Sequence, residues 1–331
     1  MGIVKNMLYR ISNKKLLSSF KNQSLFPYYH IVRDNKVAHI ENLYLYKNIE
    51  QFKNDLEVLL KNYAPINPLD LILNKSQKNT FLLSFDDGLE EIYSVVYPIL
   101  KERGITAIFF INPEYVDNNI GLYKHYVSVI ISHLRAIDFA QDLVEKISRI
   151  FYINYTTNEE FVTKFRNITY SERDKVNEVL RLLDLDIKFY LKEKRPYISK
   201  EQIQEMIDDG FFFGGHTMTH PPLNELNFEE QKNEIIDSIE WLKSNFGITY
   251  TLFAFPFSDK NISKKLLNEL FQYDQNILLF GNSGLKKDVD LRIIQRVSFE
   301  NPTKQVEKHI VAENLYKYFN RITGKYQIKR K

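Results

Sequence analysis

The sequence predicts an α/β fold interrupted by a helical segment. Short apolar runs typical of buried strands alternate with amphipathic stretches typical of helices through most of the 331 residues. From about residue 115 to 196 the pattern is helical, polar and rich in Lys and Glu. We therefore expect an α/β domain (25–114 and 196–325) that follows a basic helical segment (1–24) and contains an α-helical insertion (115–195).

The strands are predicted from their apolar residues and the helices from their spacing and end signals. We expect strands at SLFPYYHIV, TFLLSF, ITAIFFIN, FFFGG, TYTLFAFPF, NILLFGN and LRIIQRVSF. The helices LEEIYSVVYPILKERG and NFEEQKNEIIDSIEWLKSNFG are expected to end at Gly104 and Gly247, because glycine readily adopts the left-handed conformation of a helix end. Two capping boxes are predicted, Thr156 with Glu159 and Ser199 with Gln202.

The composition excludes several classes of function. A net charge of +3, with Lys and Glu mixed along the chain, does not favour a nucleic-acid partner. The chain has no cysteine, so disulfides and thiolate metal sites are excluded and any metal is bound by His, Asp or Glu.

The N-terminal segment MGIVKNMLYRISNKKLLSSFKNQ is basic and roughly amphipathic. Its apolar residues are interrupted by Lys and Arg, which is not typical of a signal peptide, and no run approaches the ~18 apolar residues of a membrane span. We therefore expect a cytoplasmic protein whose first helix packs on the domain. The alternative is that this helix lies on an anionic surface of the inner membrane face.

Two adjacent carboxylates, Asp86 and Asp87, stand at the end of the predicted strand TFLLSF, and Gly88 follows them. At the end of a strand, two neighbouring side chains can reach one cavity from different directions. Glycine permits the tight turn that follows. One carboxylate could then bind a metal while the other transfers protons, although DDG alone is more often only a turn.

A histidine pair, His216 and His220, follows the predicted strand FFFGG. Pro221 disfavours a helical His220, so we place the pair on a loop or single turn at the carboxyl end of a strand, where α/β folds place their sites. Two His and one Asp form a three-ligand site for Zn²⁺ with an open position for water, and Co²⁺, Ni²⁺ and Fe²⁺ also suit these ligands. Thr217 stands where a metalloprotease helix requires Glu, which excludes that class.

At these residues the chain resembles the polysaccharide deacetylase family, the NodB-homology carbohydrate esterases. SFDDG resembles the first motif of the family, HTMTH matches the second and FAFPFSD resembles the third, in the same order along the chain. The resemblance covers roughly residues 25–115 and 196–300 and leaves the helical middle outside. It implies a distorted (β/α) barrel of about seven strands for the domain proper.

The resemblance also implies roles for individual residues. Asp86 matches the general base, whereas Asp87, His216 and His220 match the ligands of one divalent metal. Pro256 and Phe257 match the aromatic wall of the substrate groove.

Two positions depart from the family pattern. Ala254 stands where the third motif usually has the Arg that orients the base. Arg296 is a candidate substitute, because Arg can bind a carboxylate through two N–H groups, and the alternative is a surface arginine on an edge strand. The late Leu-x-His motif that supplies the general acid is also missing, and His309 has the pattern of a solvated helix residue.

The missing acid points to the first strand. FPYYHIV resembles the Tyr-His strand end of the exopolysaccharide de-N-acetylases, which would place His30 on the same rim as a candidate acid. The alternative is a buried His bonded to the backbone.

The resemblance implies a metal-dependent hydrolase that removes an N-acetyl group from an amino sugar of a glycan or glycan precursor. The alternatives are an N-deformylase of a sugar precursor and a catalytically inactive relative that binds a glycan or a partner protein. The insertion would shape the substrate groove or form a dimer contact.

Overall fold

The computed structural model describes residues 3–20, 23–73 and 78–330. The strands of this part of the chain are short. In chain order they are β1 Pro27–Tyr29, β2 Ala64–Pro65, β3 Thr80–Phe81, β4 Leu83–Phe85, β5 Ala107–Ile111, β6 Phe212–Gly215, β7 Leu252–Ala254, β8 Leu278–Gly281, β9 Ile293–Gln295 and β10 Val297–Ser298. All pairings between them are parallel, and β2 pairs only with β3.

The remaining eight strands form one sheet in the order β10-β1-β4-β5-β6-β7-β8-β9. Its two ends, β9 and β10, are consecutive pieces of one extended segment that is interrupted only at Arg296. The first piece pairs with β8 and the second with β1, so this segment closes the sheet into a ring. The expected distorted (β/α) barrel is confirmed, and its seven strands become eight because the last one is divided.

Helices connect the barrel strands and fill the interval between β5 and β6. They are α1 Ile3–Ile11, α2 Ile49–Asn62, α3 Pro68–Leu73, α4 Tyr97–Glu102, α5 Tyr123–Ala136, α6 Gln141–Ile150, α7 Asn158–Arg166, α8 Arg173–Leu182, α9 Ile187–Lys194, α10 Lys200–Asp208, α11 Phe228–Phe246, α12 Lys264–Tyr273 and α13 Val306–Ile322. A π-helical turn, Ile92–Val96, precedes α4.

The helix ends follow from local sequence. Ser199 and Gln202 form the predicted capping box at α10, and Gly247 ends α11 at φ +64°. The capping box predicted at Thr156 is wrong by one residue. Thr157 is the N-cap of α7 and accepts a hydrogen bond from the backbone N–H of Glu160.

Neighbouring residues on a strand face opposite sides of the sheet, so every second side chain points into the barrel and helps to fill its interior. Inward side chains from five strands belong to one apolar cluster, to which the strands contribute Ile108, Phe110, Phe212, Leu252, Ala254, Leu278, Phe280 and Ile294. Their neighbours in sequence face the surrounding helices in other clusters. The interior is therefore a packed core, and the space for a ligand lies above it at the carboxyl ends of the strands.

The predicted insertion has an apolar core of its own. Helices α5 to α9 bury Ile130, Phe161 and Phe165 in a cluster that also includes Ile31, Ile40 and Leu89 of the surrounding chain. The segment therefore packs on the rim of the barrel near the carboxyl ends of β1 and β4. The domain boundaries themselves stay a prediction.

The N-terminal segment packs on α13, where the Nζ of Lys5 lies 2.8 Å from Oε1 of Glu313. Met7 and Ile11 remain 65% exposed on the outer face of α1. No helix in the described ranges is long and apolar enough to cross a bilayer. The cytoplasmic location and the alternative of a membrane-surface contact stay predictions.

The expectation that His309 is a solvated helix residue is wrong. His309 is 5% exposed, because Phe299 packs 5.3 Å from its ring and its Nε2 lies 3.6 Å from Oε1 of Glu313. Burial raises the pKa of the Glu313 carboxyl, but His309 and Lys5 outweigh burial and hold the pKa at about 2.

Glu313 is expected to make stability depend on pH. A carboxyl whose pKa is lower in the folded chain stabilises it above the ordinary pKa, and this contribution is lost as the pH falls towards 2. The difference between the urea midpoints of the parent and Glu313→Gln should therefore narrow between about pH 6 and pH 3. Glu145→Gln, at an exposed position, is the control. A difference between the urea midpoints of the parent and Glu313→Gln that stays constant with pH would contradict the lowered pKa of Glu313.

Candidate active site

Six of the eight predicted site residues line one cavity of about 380 Å³ at the carboxyl ends of the barrel strands, and Arg296 and Pro256 do not. His30 follows β1, Asp86 and Asp87 follow β4, and His216 follows β6. The lining residues are Tyr28, His30, Leu43, Tyr44, Asp86, Asp87, Leu122, Lys124, His125, Arg166, Asn167, His216, His220, Phe255, Phe257 and Asn282. The cavity volume is in the range of small-molecule sites.

Asp86 and Arg296 form a buried bidentate ion pair. Nη1 and Nη2 of Arg296 donate to Oδ1 and Oδ2 of Asp86 at 2.6 and 2.8 Å, and both residues are at most 3% exposed. Nη1 also donates to Oγ of Ser84 and Nε to the carbonyl of Gly281. Burial raises the pKa of Asp86, but Arg296 and, to a smaller extent, His216 outweigh it and keep the pKa below its ordinary value. The structure therefore places Arg296 in the interior and not on an edge strand.

Asp87, His216 and His220 bring three ligand atoms within 4.8 Å of one another. Oδ1 of Asp87 lies 3.5 Å from Nε2 of His216 and 3.2 Å from Nε2 of His220, yet this buried oxygen has no hydrogen-bond partner in the described chain. Burial raises the pKa of Asp87, but the neighbouring histidines, His30 first, hold it well below its usual range. An ionised oxygen without a donor, between two imidazole nitrogens, fits a bound cation.

The orientation of His216 supports the same conclusion. Its Nδ1 lies 2.8 Å from the carbonyl oxygen of Ala254, which can only accept, so Nδ1 carries the proton. In the neutral imidazole Nε2 is then unprotonated and directs a lone pair towards Oδ1 of Asp87, an arrangement that is repulsive without a cation between them. Ala254 lacks the arginine side chain that would orient the base. Its backbone carbonyl instead orients His216, a candidate metal ligand.

Strained backbone conformations cluster around this cavity. Asp87, Thr217, His220 and Phe257 have φ values of +73°, +68°, +55° and +53°. For residues other than glycine this region costs of order 1–3 kcal/mol each, and a β-branched residue such as Thr217 is a clear outlier there. Such strain persists where the surrounding contacts over-determine the backbone, which is typical of functional sites.

Gly88 meets two requirements of the Asp-Asp turn. It has a φ of +64°, and a Cβ atom at this position would lie 3.1 Å from Cγ2 of Ile111 on the neighbouring strand. The turn can therefore approach β5 closely enough for His216, whose N–H donates to the carbonyl of Ile111, to face Asp87.

His30 lies on the rim, as predicted, and is held by Glu300. Its backbone N–H and Nδ1 both lie within 2.8 Å of Oε1 of Glu300, and its Nε2 lies 4.0 Å from Oδ2 of Asp87. Burial lowers the pKa of His30, but Glu300 and Asp87 outweigh burial and raise the pKa to about 10. The imidazole is therefore a cation that can present a proton on Nε2 to the cavity.

The two predicted groove residues occupy different positions. Phe257 is 49% exposed, lines the cavity and lies 4.7 Å from the ring of His220. Pro256 is buried and is not among the lining residues. Of the pair, only Phe257 can contact a ligand.

Sequence reasoning missed a polar cluster behind the third motif. Asp259, the last residue of FAFPFSD, is fully buried and accepts hydrogen bonds from Gln295 and Arg330 at 2.7 and 2.6 Å. Oγ of Ser283 lies 3.3 Å from Oδ1 of Asp259. The only sequence signal was an aspartate within a quoted motif, and its partner Arg330 is 71 positions away.

Three lining or supporting residues were also missed. Glu300 follows the last barrel strand, whereas Tyr44 lies on a loop and His125 on α5 of the insertion. The position of Glu300 at a strand end was a usable signal. The other two have no local pattern that distinguishes them from core aromatic residues.

The fold and the buried Asp-His-His group define a class of protein, a (β/α) barrel with a candidate metal site at the carboxyl ends of its strands. A family model described as polysaccharide deacetylase matches residues 74–149 and 167–275, which is more than half of the chain. The chain belongs to the polysaccharide deacetylase family. The expectation that the resemblance omits the helical middle is wrong, because only residues 150–166 separate the matched parts.

Solved structures of similar fold span most of both chains. The Streptococcus pyogenes deacetylase PplD, in complex with acetate, has a TM-score of 0.55 and 15% identity over 86% of this chain and 96% of its own. A polysaccharide deacetylase from Bacillus cereus scores 0.53, with 16% identity over 89% and 70%. A de-N-acetylase from Aggregatibacter actinomycetemcomitans scores 0.52, with 16% identity over 87% and 99%. A search of curated protein sequences finds no match.

Arg296 is expected to stabilise the fold as well as orient Asp86. Arg296→Met leaves a buried carboxylate without its charge partner, which should lower the free energy of unfolding by about 3–5 kcal/mol. Urea denaturation measures the loss. Arg149→Met removes an exposed arginine 3.7 Å from Glu145 and should change stability little. Equal effects of the two substitutions would contradict the structural role of the pair.

Proposed function

We propose that the protein is a divalent-metal-dependent hydrolase that removes an N-acetyl group from an amino sugar of a glycan or glycan precursor. The observation that supports this most directly is the position of Asp86. Its carboxylate is fixed by Arg296 beside the Asp87, His216 and His220 group, within the same cavity. Membership of the polysaccharide deacetylase family supports hydrolysis of a C–N bond.

The residues present fit a divalent cation. Oδ1 of Asp87 and the Nε2 atoms of His216 and His220 would hold it, and Zn²⁺ suits this set, as do Co²⁺, Ni²⁺ and Fe²⁺. When bound, such a cation polarises an acyl carbonyl and lowers the pKa of a coordinated water.

Asp86 would serve as the general base. Its carboxylate lines the cavity next to Asp87, so it can accept the proton of a water that attacks the acyl carbon. Arg296 keeps the carboxylate ionised and holds both oxygens in place. The ion pair with Arg296 would therefore fix the orientation of the base without raising its pKa.

His30 would serve as the general acid. Glu300 binds Nδ1, so the proton on Nε2 is the one available to the cavity. In the reaction the water oxygen bonds to the acyl carbon, the C–N bond breaks, and the leaving nitrogen takes a proton from His30. The products are a carboxylic acid and the free amine of the sugar.

Analysis of the reaction products identifies the acyl group and distinguishes an active enzyme from an inactive relative. Formyl and acetyl groups undergo the same chemistry, so N-formyl and N-acetyl sugars are to be assayed together. A relative that only binds glycans does not require the carboxylate of Asp86 to be clamped beside an ion site, which favours an active enzyme.

Metal binding and turnover should be separable. Asp87→Ala removes the carboxylate ligand and should reduce bound metal from about one ion per chain to a small fraction, measured by elemental analysis after loading. Asp86→Asn should retain the metal yet lose about 10²–10⁴-fold in deacetylation, because an amide cannot accept the proton. If neither the parent nor Asp86→Asn binds metal, the hydrolase proposal fails.

The acid role of His30 should depend on the leaving group. His30→Gln should slow release of a sugar amine by about 10²–10⁴-fold. It should slow hydrolysis of an aryl acetate far less, because a phenolate leaves without protonation. His133→Gln, on the outward part of α5, is the control. If His30→Gln slows the hydrolysis of both substrates equally, His30 has a role other than general acid.

A further inference from the structure

The insertion forms one side of the cavity. We define the insertion wall as the five cavity-lining residues that this segment contributes, Leu122, Lys124, His125, Arg166 and Asn167. The opposite side is formed by barrel residues and contains the carboxylates and the candidate metal ligands. The two sides differ in charge, because both charged residues of the insertion wall are cationic.

Lys124 and Arg166 lack carboxylate partners. In the described chain no Asp or Glu oxygen lies within 4.0 Å of either cationic group. The ammonium of Lys124 donates to the carbonyls of Arg166 and Ile168 at 2.8 Å and lies 5.2 Å from the centroid of the Tyr123 ring, so its third N–H has no hydrogen-bond acceptor among the described residues. Burial lowers the pKa of Lys124 to about 8, and the more distant Glu225 does not restore it.

Arg166 is tied to the cavity rim by a weak contact. Its Nη1 lies 3.5 Å from the carbonyl of Asn42, next to Leu43 and Tyr44 of the lining. A guanidinium has five N–H groups, so most of its donors remain for a ligand.

His125 adds a neutral donor, and its tautomer follows from its partner. The hydroxyl of Tyr197 accepts the N–H of Leu122 at 2.8 Å and lies 2.6 Å from Nδ1 of His125. Among the described residues the hydroxyl proton has no other acceptor than Nδ1. Nε2 therefore carries the ring proton, and this atom is buried without a partner, while His125 as a whole is 2% exposed. Burial lowers the pKa of His125 to about 4, so the ring is neutral at pH 7.

These groups select an anionic ligand. Lys124, His125 and Arg166 offer N–H donors and two positive charges, whereas a neutral sugar hydroxyl would also require acceptors. A phosphate ester carries about −1.5 to −2 charge and accepts through several oxygens, and the arginine fork matches this geometry. A carboxylate carries a single charge and leaves one of the two cations uncompensated.

Resting on the proposed function, we propose that the insertion wall is a subsite for a phosphate ester borne by the N-acylated sugar. The substrate class is then a phosphorylated amino sugar, or a glycan that carries such a unit. The barrel side would bind the acyl group, and the insertion would select the substrate by the charge of its phosphate.

The test compares sugar phosphates with neutral sugars. The metal-loaded parent is assayed with N-acetylglucosamine 1-phosphate, N-acetylglucosamine and N-acetylmuramic acid, which carries a carboxylate. Arg166→Gln removes the charge but keeps an N–H donor for Asn42. Lys164→Gln removes a charge from the same helix, where Lys164 pairs with Glu160 at 2.5 Å and does not line the cavity.

We expect kcat/KM of the parent to be at least about tenfold higher for the phosphate than for the neutral sugar. Arg166→Gln should reduce that ratio about tenfold through KM, as expected for one charged hydrogen-bonded contact, whereas Lys164→Gln should preserve it. Equal ratios for the phosphate and neutral sugars in the parent, or equal effects of the two variants, would overturn the subsite. An equal preference for N-acetylmuramic acid would overturn the assignment to phosphate.

A binding measurement separates this inference from the proposed function. Calorimetric titration of the metal-depleted parent with N-acetylglucosamine 1-phosphate reports on the subsite without turnover and without phosphate–metal coordination. If no sugar is hydrolysed but the phosphate binds and Arg166→Gln weakens it, the proposed function fails and the subsite stands. If sugars are hydrolysed but the phosphate binds no better than N-acetylglucosamine, the subsite fails.

Discussion

The buried pair of Arg296 and Asp86 is the interaction on which both the barrel and the site depend. Arg296 interrupts the strand that closes the ring, and it reaches across the interior to Ser84 and Asp86 at the end of β4. Its guanidinium lies 4.6 Å from the ring of Tyr28. Removing two charges from water costs several kcal/mol per ion, and this cost is offset only by good geometry and further hydrogen bonds. Here Arg296 donates four hydrogen bonds, two of them to the two carboxylate oxygens of Asp86. Ring closure and the orientation of Asp86, the candidate base, therefore involve the same side chain.

The electrostatics of the cavity follow from a division between barrel and insertion. Each acid on the barrel side has a cationic partner, Arg296 for Asp86 and His30 for Glu300. The exception is Oδ1 of Asp87, which has no hydrogen-bond partner among the described residues and lies close to Nε2 of His216 and of His220. The insertion contributes cations and N–H donors instead. A ligand that spans the cavity would meet the candidate base, acid and metal ligands at one end and the N–H donors of the insertion wall at the other.

The sequence predicted what is encoded locally. Both motif pairs follow apolar strands directly, and parallel strands bring their carboxyl ends to the same edge, so their convergence was foreseeable. The sequence left two alternatives for Arg296, a partner of the candidate base or a surface residue, because Asp86 is 210 positions away. The prediction for His309 failed because the N-terminal segment and Phe299 cover the face of α13 that a helical pattern alone assigns to solvent. Glu300 belongs to no motif; its place at a strand end was the one sequence signal, and the pairing of β10 with β1 brings it beside His30.

The left-handed residues around the cavity bear on how this chain is maintained over generations. Glycine at Asp87, Thr217, His220 or Phe257 would relieve a strained backbone, so random substitution offers a lineage repeated opportunities to become more stable. A descendant released from catalysis could accept these changes without penalty. This chain has a bulky or ionisable side chain at all four positions. Its fold therefore bears a backbone cost beside the candidate metal ligands, which the packing elsewhere must offset.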